Sequence, residues 1–220
     1  PTLRMIDLAR ALSHDPELLI LDEIQPGMGR TGKLFGFENY NCLPDILVTG
    51  KGLGGGMPIG AFTASSKLMN VLQDNPKLGH ITTFGGHPVG AAVALANLDI
   101  FEKEKINEHV LENEGKFYAT LEKLYDLPIV GDVRGAGYFY GIEMVKDRST
   151  RETFNSDESE KLLRGFLSKK LYDSGLYCRT DDRGDPVIQL APPLIANQSH
   201  FDEIEGILRS VLTEACELIF

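Results

Sequence analysis

The stretch LILDEIQPGMGRTGK, residues 19–33, decides how the rest of the chain is read, because its two halves point to different folds. The first half is a short apolar run closed by Asp22-Glu23, the pattern of a buried parallel-type strand with acids at its carboxyl end. The second half, GMGRTGK, has the glycine and lysine spacing of a phosphate loop. A phosphate loop also requires Ser or Thr after the lysine, since that hydroxyl binds the magnesium ion. Here the next residue is Leu34, and the metal ligand is missing.

An ABC-type ATPase is the reading suggested by the acidic strand following LARALSHDPE, residues 8–17. Order argues against it. In such ATPases the glycine loop comes first and the acidic strand later, on a neighbouring strand, whereas here both belong to one strand and its exit. The upstream PTLRMID also lacks the serine-glycine-glycine signature.

Composition narrows the function classes. At 220 residues the chain can bury a full core as one large domain or two small ones. A net charge of −10 argues against nucleic acid or an anionic membrane as partner, since phosphate backbones demand surplus Lys and Arg. No apolar run approaches the roughly 20 residues that cross a bilayer, and no charged-then-apolar leader is present. Cys42, Cys178 and Cys216 are widely spaced, which suggests neither a metal pair nor a disulfide framework, and points to reduced thiols in a cytoplasmic protein. The first residue is Pro1 rather than Met, which leaves room for preceding sequence.

The chain alternates short apolar runs with helical patterns, the mark of an α/β sheet. A helical pattern over 2–13 precedes a strand at 18–21; further strands are expected at 45–49 and 61–64, on either side of the glycine-rich GKGLGGGMPIG. Residues 88–105 read as a helix that continues, with more charge, to about 125 and bridges two domains. Strands at 128–133 and 137–145, a helix at 157–174, strands at 176–180 and 187–191, and a last amphipathic helix through Phe201, Leu208 and Ala215 complete the pattern. The expected division is 1–110, an α/β piece, and 111–220, a smaller α+β piece.

Lys51 stands 29 residues after Asp22, at the exit of the next parallel-type strand, among Gly50, Gly52, Gly54, Gly55 and Gly56. Ligands of open α/β sheets bind beyond the carboxyl ends of the strands, so Asp22 and Lys51 are expected to face one crevice. Taken alone, Lys51 reads equally as a surface lysine on a loop. With the acid and the glycines, it matches what pyridoxal phosphate chemistry requires: an amine to form a Schiff base with the aldehyde, and a carboxylate to keep the pyridine nitrogen protonated.

At this point the sequence resembles the class III aminotransferases. The motifs are LILDEIQPGMGRTGKLFGFE, PDILVTGKGLGGGMPIGA, HITTFGGHPVGAAVALA, VRGAGYFYGIEM and VIQLAPPLI, in the family's order. The resemblance covers nearly the whole chain and the C-terminal half of such an enzyme. It implies the type I pyridoxal phosphate-dependent transferase fold (aspartate aminotransferase-like), with 1–110 as the C-terminal part of the large cofactor-binding domain and 111–220 as the small domain. It implies pyridoxal 5'-phosphate as cofactor, an amine or amino acid and an oxo acid as substrates, and a homodimer with shared active sites. An aminomutase or decarboxylase of the same fold would share Asp22 and Lys51.

The resemblance also assigns roles. Asp22 pairs with the pyridinium nitrogen, Ile24 packs on the ring, Gln25 bonds the ring oxygen, and Lys51 holds the cofactor and moves the substrate proton. Strand alternation puts Asp22 and Ile24 on one side and Glu23 on the other, where a structural role is expected. Thr83 reaches the cofactor phosphate of the neighbouring subunit, or else merely caps a helix. Relatives that use glutamate carry an arginine where this chain has Gln189. Arg179 matches a mobile arginine of amine:pyruvate transaminases that binds the acceptor carboxylate; its plainer reading is a surface arginine paired with Asp181 or Asp182.

Overall fold

The computed structural model describes residues 18–40, 42–74, 81–181 and 186–219; the helical pattern at 2–13 and Asp182 lie outside them. The chain divides into two compact units, Pro1–Asn107 and Glu108–Phe220.

The first unit is built on a three-stranded sheet in the order β1-β2-β3. β1 (Ile20–Asp22) runs parallel to β2 (Ile46–Thr49), with Asp22 opposite Val48, and β3 (Ala61–Ala64) returns antiparallel. β1 begins two residues later than its apolar run. β2, the central strand, is ILVT, β-branched at Ile46, Val48 and Thr49, which suits a pleated surface with neighbours on both sides. Two short helices follow, α1 (Ser66–Met69) and α2 (Val71–Asp74), and then α3 (Pro88–Lys103). α3 starts where sequence physics puts a start: Pro88 needs no N–H donor, and the ring of His87 accepts from the Val89 amide.

The single helix expected across 88–125 is two. α3 stops at Glu104, Lys105 turns left-handed at φ 50°, and α4 (Ile106–Glu122) begins afresh. No Pro or Gly announces that break, which falls in the charged run Glu102-Lys103-Glu104-Lys105.

The second unit is an antiparallel sheet in the order β4-β5-β7-β6, made from β4 (Val130–Ala136), β5 (Phe139–Met144), β6 (Arg179–Asp181) and β7 (Val187–Leu190). One face is core: Val133, Ile142 and Ile188 are almost fully buried in one cross-strand row. Against it pack Phe117, Tyr138, Tyr140 and Phe201, with the Phe117 and Phe201 rings stacked at 4.6 Å. The helix expected at 157–174 forms as α5 (Ser156–Glu160), a π-helical stretch Lys161–Leu167, and α6 (Ser168–Asp173), opened by an Asn155/Glu158 capping box. The last helix, α7 (Gln198–Ile219), buries Phe201, Leu208, Val211, Leu212 and Ala215, the face its periodicity predicts.

The β4–β5 hairpin turns at Gly137-Tyr138, where Gly137 adopts φ 57° and donates to the Glu114 carboxylate. Just before it, a Cβ on Gly135 would lie 2.1 Å from the Phe139 carbonyl oxygen and 2.8 Å from the Tyr140 Cα. Backbone cannot move aside as a side chain can. Gly135→Ala is therefore expected to cost about 3 kcal/mol, read as a lowered denaturation midpoint.

Candidate active site

The site grows from the exit of β1. Glu23 is buried at 3 % exposure, and its carboxylate accepts from the amides of Gly36 and Phe37, each at 2.8 Å. These charge-assisted bonds tie the strand end to a 3₁₀ turn, Gly36–Tyr40, more than a dozen residues on. Between them the chain doubles back: Gly27 N–H donates to the Glu23 carbonyl at 3.0 Å, and Met28 is left-handed at φ 52° and buried. The carboxylate expected to be structural is structural.

Asp22, on the opposite side of β1 from Glu23, is exposed; its Oδ1 accepts from the Ile24 amide at 2.9 Å. Ile24 lies against the backbone of β2's exit, where a Cβ on Gly50 would sit 3.6 Å from its Cγ1. Gln25 is exposed. Because β1 and β2 are parallel and Asp22 is level with Val48, Lys51 leaves the sheet at the same edge as Asp22.

Lys51 opens a 3₁₀ turn, Lys51–Gly54, with φ 40°. A left-handed backbone costs a non-glycine residue roughly 1–2 kcal/mol, and such strain gathers at functional sites. The turn is gripped from two sides. Met28 Cβ would lie 2.9 Å from a Cβ on Gly52, and Asn97 of α3 donates its amide to the Gly52 carbonyl at 2.8 Å. Neither partner is marked by the sequence; the only trace is a lone Asn in the apolar run VALANLDIF.

Thr83 sits in the exposed turn that precedes α3. That turn closes through Gly85 N–H to the Thr82 carbonyl at 3.0 Å and His87 N–H to the Phe84 carbonyl at 3.1 Å. His87, not Thr83, caps α3.

Arg179 belongs to the second unit, where it opens β6 as the cross-strand partner of Gln189. Gln189 is in turn opposite Gly141, and Gly141 opposite Arg134. Residues in register share a face, so Arg179, Gln189 and Arg134 line the side of the sheet away from Ile188. Arg134 is engaged by Asp132 at 2.9 Å and by Glu143. Burial alone would raise the Asp132 carboxyl, but bonds from Arg134 and the Tyr125 hydroxyl outweigh it and hold the acid below the usual range. Burial pushes the neighbouring Cys178 thiol up to about 11, so it stays protonated near neutral pH. Beyond β7, the Ala196 carbonyl accepts from Tyr138 Oη at 2.9 Å and from His109 Nε2 at 2.8 Å. A carbonyl only accepts, so that ring nitrogen carries the proton.

Residues 5–212 match the model of the class-III aminotransferases. The chain belongs to that family. A Mycobacterium tuberculosis protein named a "probable aminotransferase" is 56 % identical over 199 residues, 90 % of this chain and 42 % of that protein. The putrescine–pyruvate aminotransferase of Pseudomonas aeruginosa is 35 % identical over 204 residues, covering 92 % and 43 %. Among solved structures, a transaminase from the marine bacterium Virgibacillus superposes with a TM-score of 0.86 at 31 % identity, over 99 % of this chain and 49 % of that one. The chain thus spans less than half the length of these relatives. The type I fold that the motifs imply is the fold of this family, and an ABC-type ATPase is not favoured.

Glu23→Ala strips the partner from two backbone amides, one of them buried. A loss of roughly 2–4 kcal/mol is expected, with exchange of the Gly36 and Phe37 amides accelerated in hydrogen-exchange measurements.

Proposed function

We propose that this chain carries the catalytic lysine of a transaminase that moves an amino group between an amine or amino acid and an oxo acid with the help of pyridoxal 5'-phosphate. The observation that carries this reading is the placement of Asp22 and Lys51 at the same edge of neighbouring parallel strands, with the lysine held in a strained turn. The donor set suits the cofactor: an exposed carboxylate for a pyridinium nitrogen, an exposed amine for an aldehyde, an aliphatic side chain beside them for a ring face, and glycines that let backbone come close. The first unit then corresponds to the C-terminal part of a large cofactor-binding domain, and the second to the small domain.

The cofactor supplies an aldehyde that condenses with amines and a ring that takes up the electron pair left when the substrate carbon loses its proton. With the cofactor bound, Asp22 would stabilise positive charge on its ring nitrogen, and Ile24 would pack on the ring. Gln25 would donate to the ring oxygen. Lys51 Nζ would be the amine that holds the cofactor's aldehyde and, when free, the base that moves the substrate proton. The Thr83 hydroxyl would bind the cofactor phosphate of a site in a second copy of the chain, which would make the active enzyme a homodimer. A cytoplasmic setting suits this chemistry; among the described residues no helix is long and apolar enough to cross a membrane.

Arg179 is the carboxylate-binding group of this scheme. Its guanidinium offers a planar fork to an oxo acid such as pyruvate, and Gln189 opposite it replaces the arginine carried by relatives that use glutamate. The name of the Pseudomonas relative, which pairs putrescine with pyruvate, agrees with that choice of acceptor.

Two experiments test the reading. Incubation with pyridoxal 5'-phosphate followed by borohydride and peptide mapping is expected to label Lys51; Lys51→Ala is expected to abolish that label and to slow amino-group transfer by about 10²–10⁴-fold. Label at another lysine, or unimpaired turnover, refutes the assignment. Arg179→Ala is expected to weaken pyruvate binding by about tenfold or more, with an uncharged amine affected far less. Equal losses for both substrates remove Arg179 from the site.

A further inference from the structure

Asn97 stands out among the groups that the proposed chemistry does not use. It lies on α3, far in sequence from the Lys51 turn, and its side-chain amide donates to two successive carbonyls there, Gly52 at 2.8 Å and Leu53 at 3.4 Å. These are the carbonyls that a 3₁₀ turn leaves with the fewest internal partners at its end; Gly52 O accepts in addition only a long bond from the Gly55 amide, at 3.2 Å. The fit is close on the other side too, because a Cβ on Gly55, itself left-handed at φ 54°, would come within 3.3 Å of Asn97 Cγ.

We infer that Asn97 is a positioning residue for Lys51: by bonding the Gly52 and Leu53 carbonyls it holds the Lys51–Gly54 turn in the left-handed entry that fixes where the lysine backbone leaves the sheet. The inference rests on Lys51 being the cofactor lysine. Its physical basis is the opposing preference of the backbone. A lysine at φ 40° relaxes toward the ordinary right-handed region unless something downstream prevents it, and the glycines of the turn would let it swing. On the β1 side, Met28 against Gly52 blocks one direction of that swing. Asn97 blocks the other and anchors the turn to a helix four turns long, so its grip is directional where that of Met28 is steric. Leucine at 97 keeps the volume and removes the donor; glutamine keeps the donor on a longer arm.

The experiment compares the parent chain with Asn97→Leu and Asn97→Gln by two readouts. Amide exchange reports the turn itself: in Asn97→Leu the Leu53 and Gly55 amides, which bond Gly50 and Gly52, are expected to exchange about tenfold faster, while the β2 and β3 amides keep the parental rate. Reductive trapping with pyridoxal 5'-phosphate reports the lysine: labelling of Lys51 relative to exposed Lys67 is expected to fall about tenfold in Asn97→Leu and to recover at least partly in Asn97→Gln. Unchanged exchange at Leu53 and Gly55 overturns the inference. So does faster exchange with an undiminished Lys51-to-Lys67 ratio, since the turn would then be held without consequence for the lysine. Acceleration that spreads to β2 and β3 overturns it as well, because Asn97 would then serve the unit's general stability. A parent chain that labels Lys67 but not Lys51 overturns the cofactor reading and the positioning role with it, and is told apart from the other outcomes because it needs no variant.

Discussion

A single buried carboxylate fixes the way the chain leaves the first strand. Glu23 is ionisable, almost without solvent, and acceptable there only because two backbone amides meet it. The constraint propagates. Fastening Gly36 and Phe37 to the end of β1 forces the intervening residues into a compact double-back, that double-back delivers Met28 to Gly52, and the contact limits where the Lys51 turn can lie. Strand alternation then gives Asp22, one residue earlier, no choice but the opposite side. Two adjacent acids thus divide the work, one inward to secure the loop and one outward to solvent.

Much of this was legible in the residues. The apolar runs gave β2 and β3 nearly to the residue, and the acidic strand end with the glycine-flanked lysine located the edge at which both residues emerge. The motifs gave the family that the comparisons then showed. What stayed hidden has identifiable causes. The break at Glu104–Lys105 relies on a left-handed lysine, which carries no sequence signal comparable to Gly or Pro. The π-helical stretch at 161–167 keeps enough apolar spacing to pass as ordinary helix. β6 starts at Arg179 rather than 176, because its extent is set by pairing with β7 and not by the apolar Leu176-Tyr177 ahead of it. Asn97 was invisible for a different reason: the meaning of a polar residue on an apolar helix depends on which backbone lies opposite, and that is a tertiary fact.

The two units stabilise themselves by different means. The second has a continuous aromatic and aliphatic core under one face of its sheet, with Phe117, Tyr138 and Phe201 almost fully enclosed. The first has few buried apolar side chains among its described residues, and its order comes from backbone bonds, close glycine contacts and the Glu23 carboxylate. α3 displays the difference: Val89, Leu95 and Ile100 are more than half exposed on a helix rich in alanine.

The cross-strand row Arg134, Gly141, Gln189, Arg179 has an evolutionary corollary. Side chains alternate along each strand, so adding or deleting one residue between Asp181 and Val187, with the pairing re-formed one step along, would bring Thr180 to the outer surface and send the guanidinium toward Ile188. A length change that shifts the pairing would therefore invert the surface, whereas exchange of one residue type for another at 179 or 189 leaves the alternation in place. Point replacement at 179 or 189 is thus the way this surface can change its charge and hydrogen bonding while the strand pairing keeps its register.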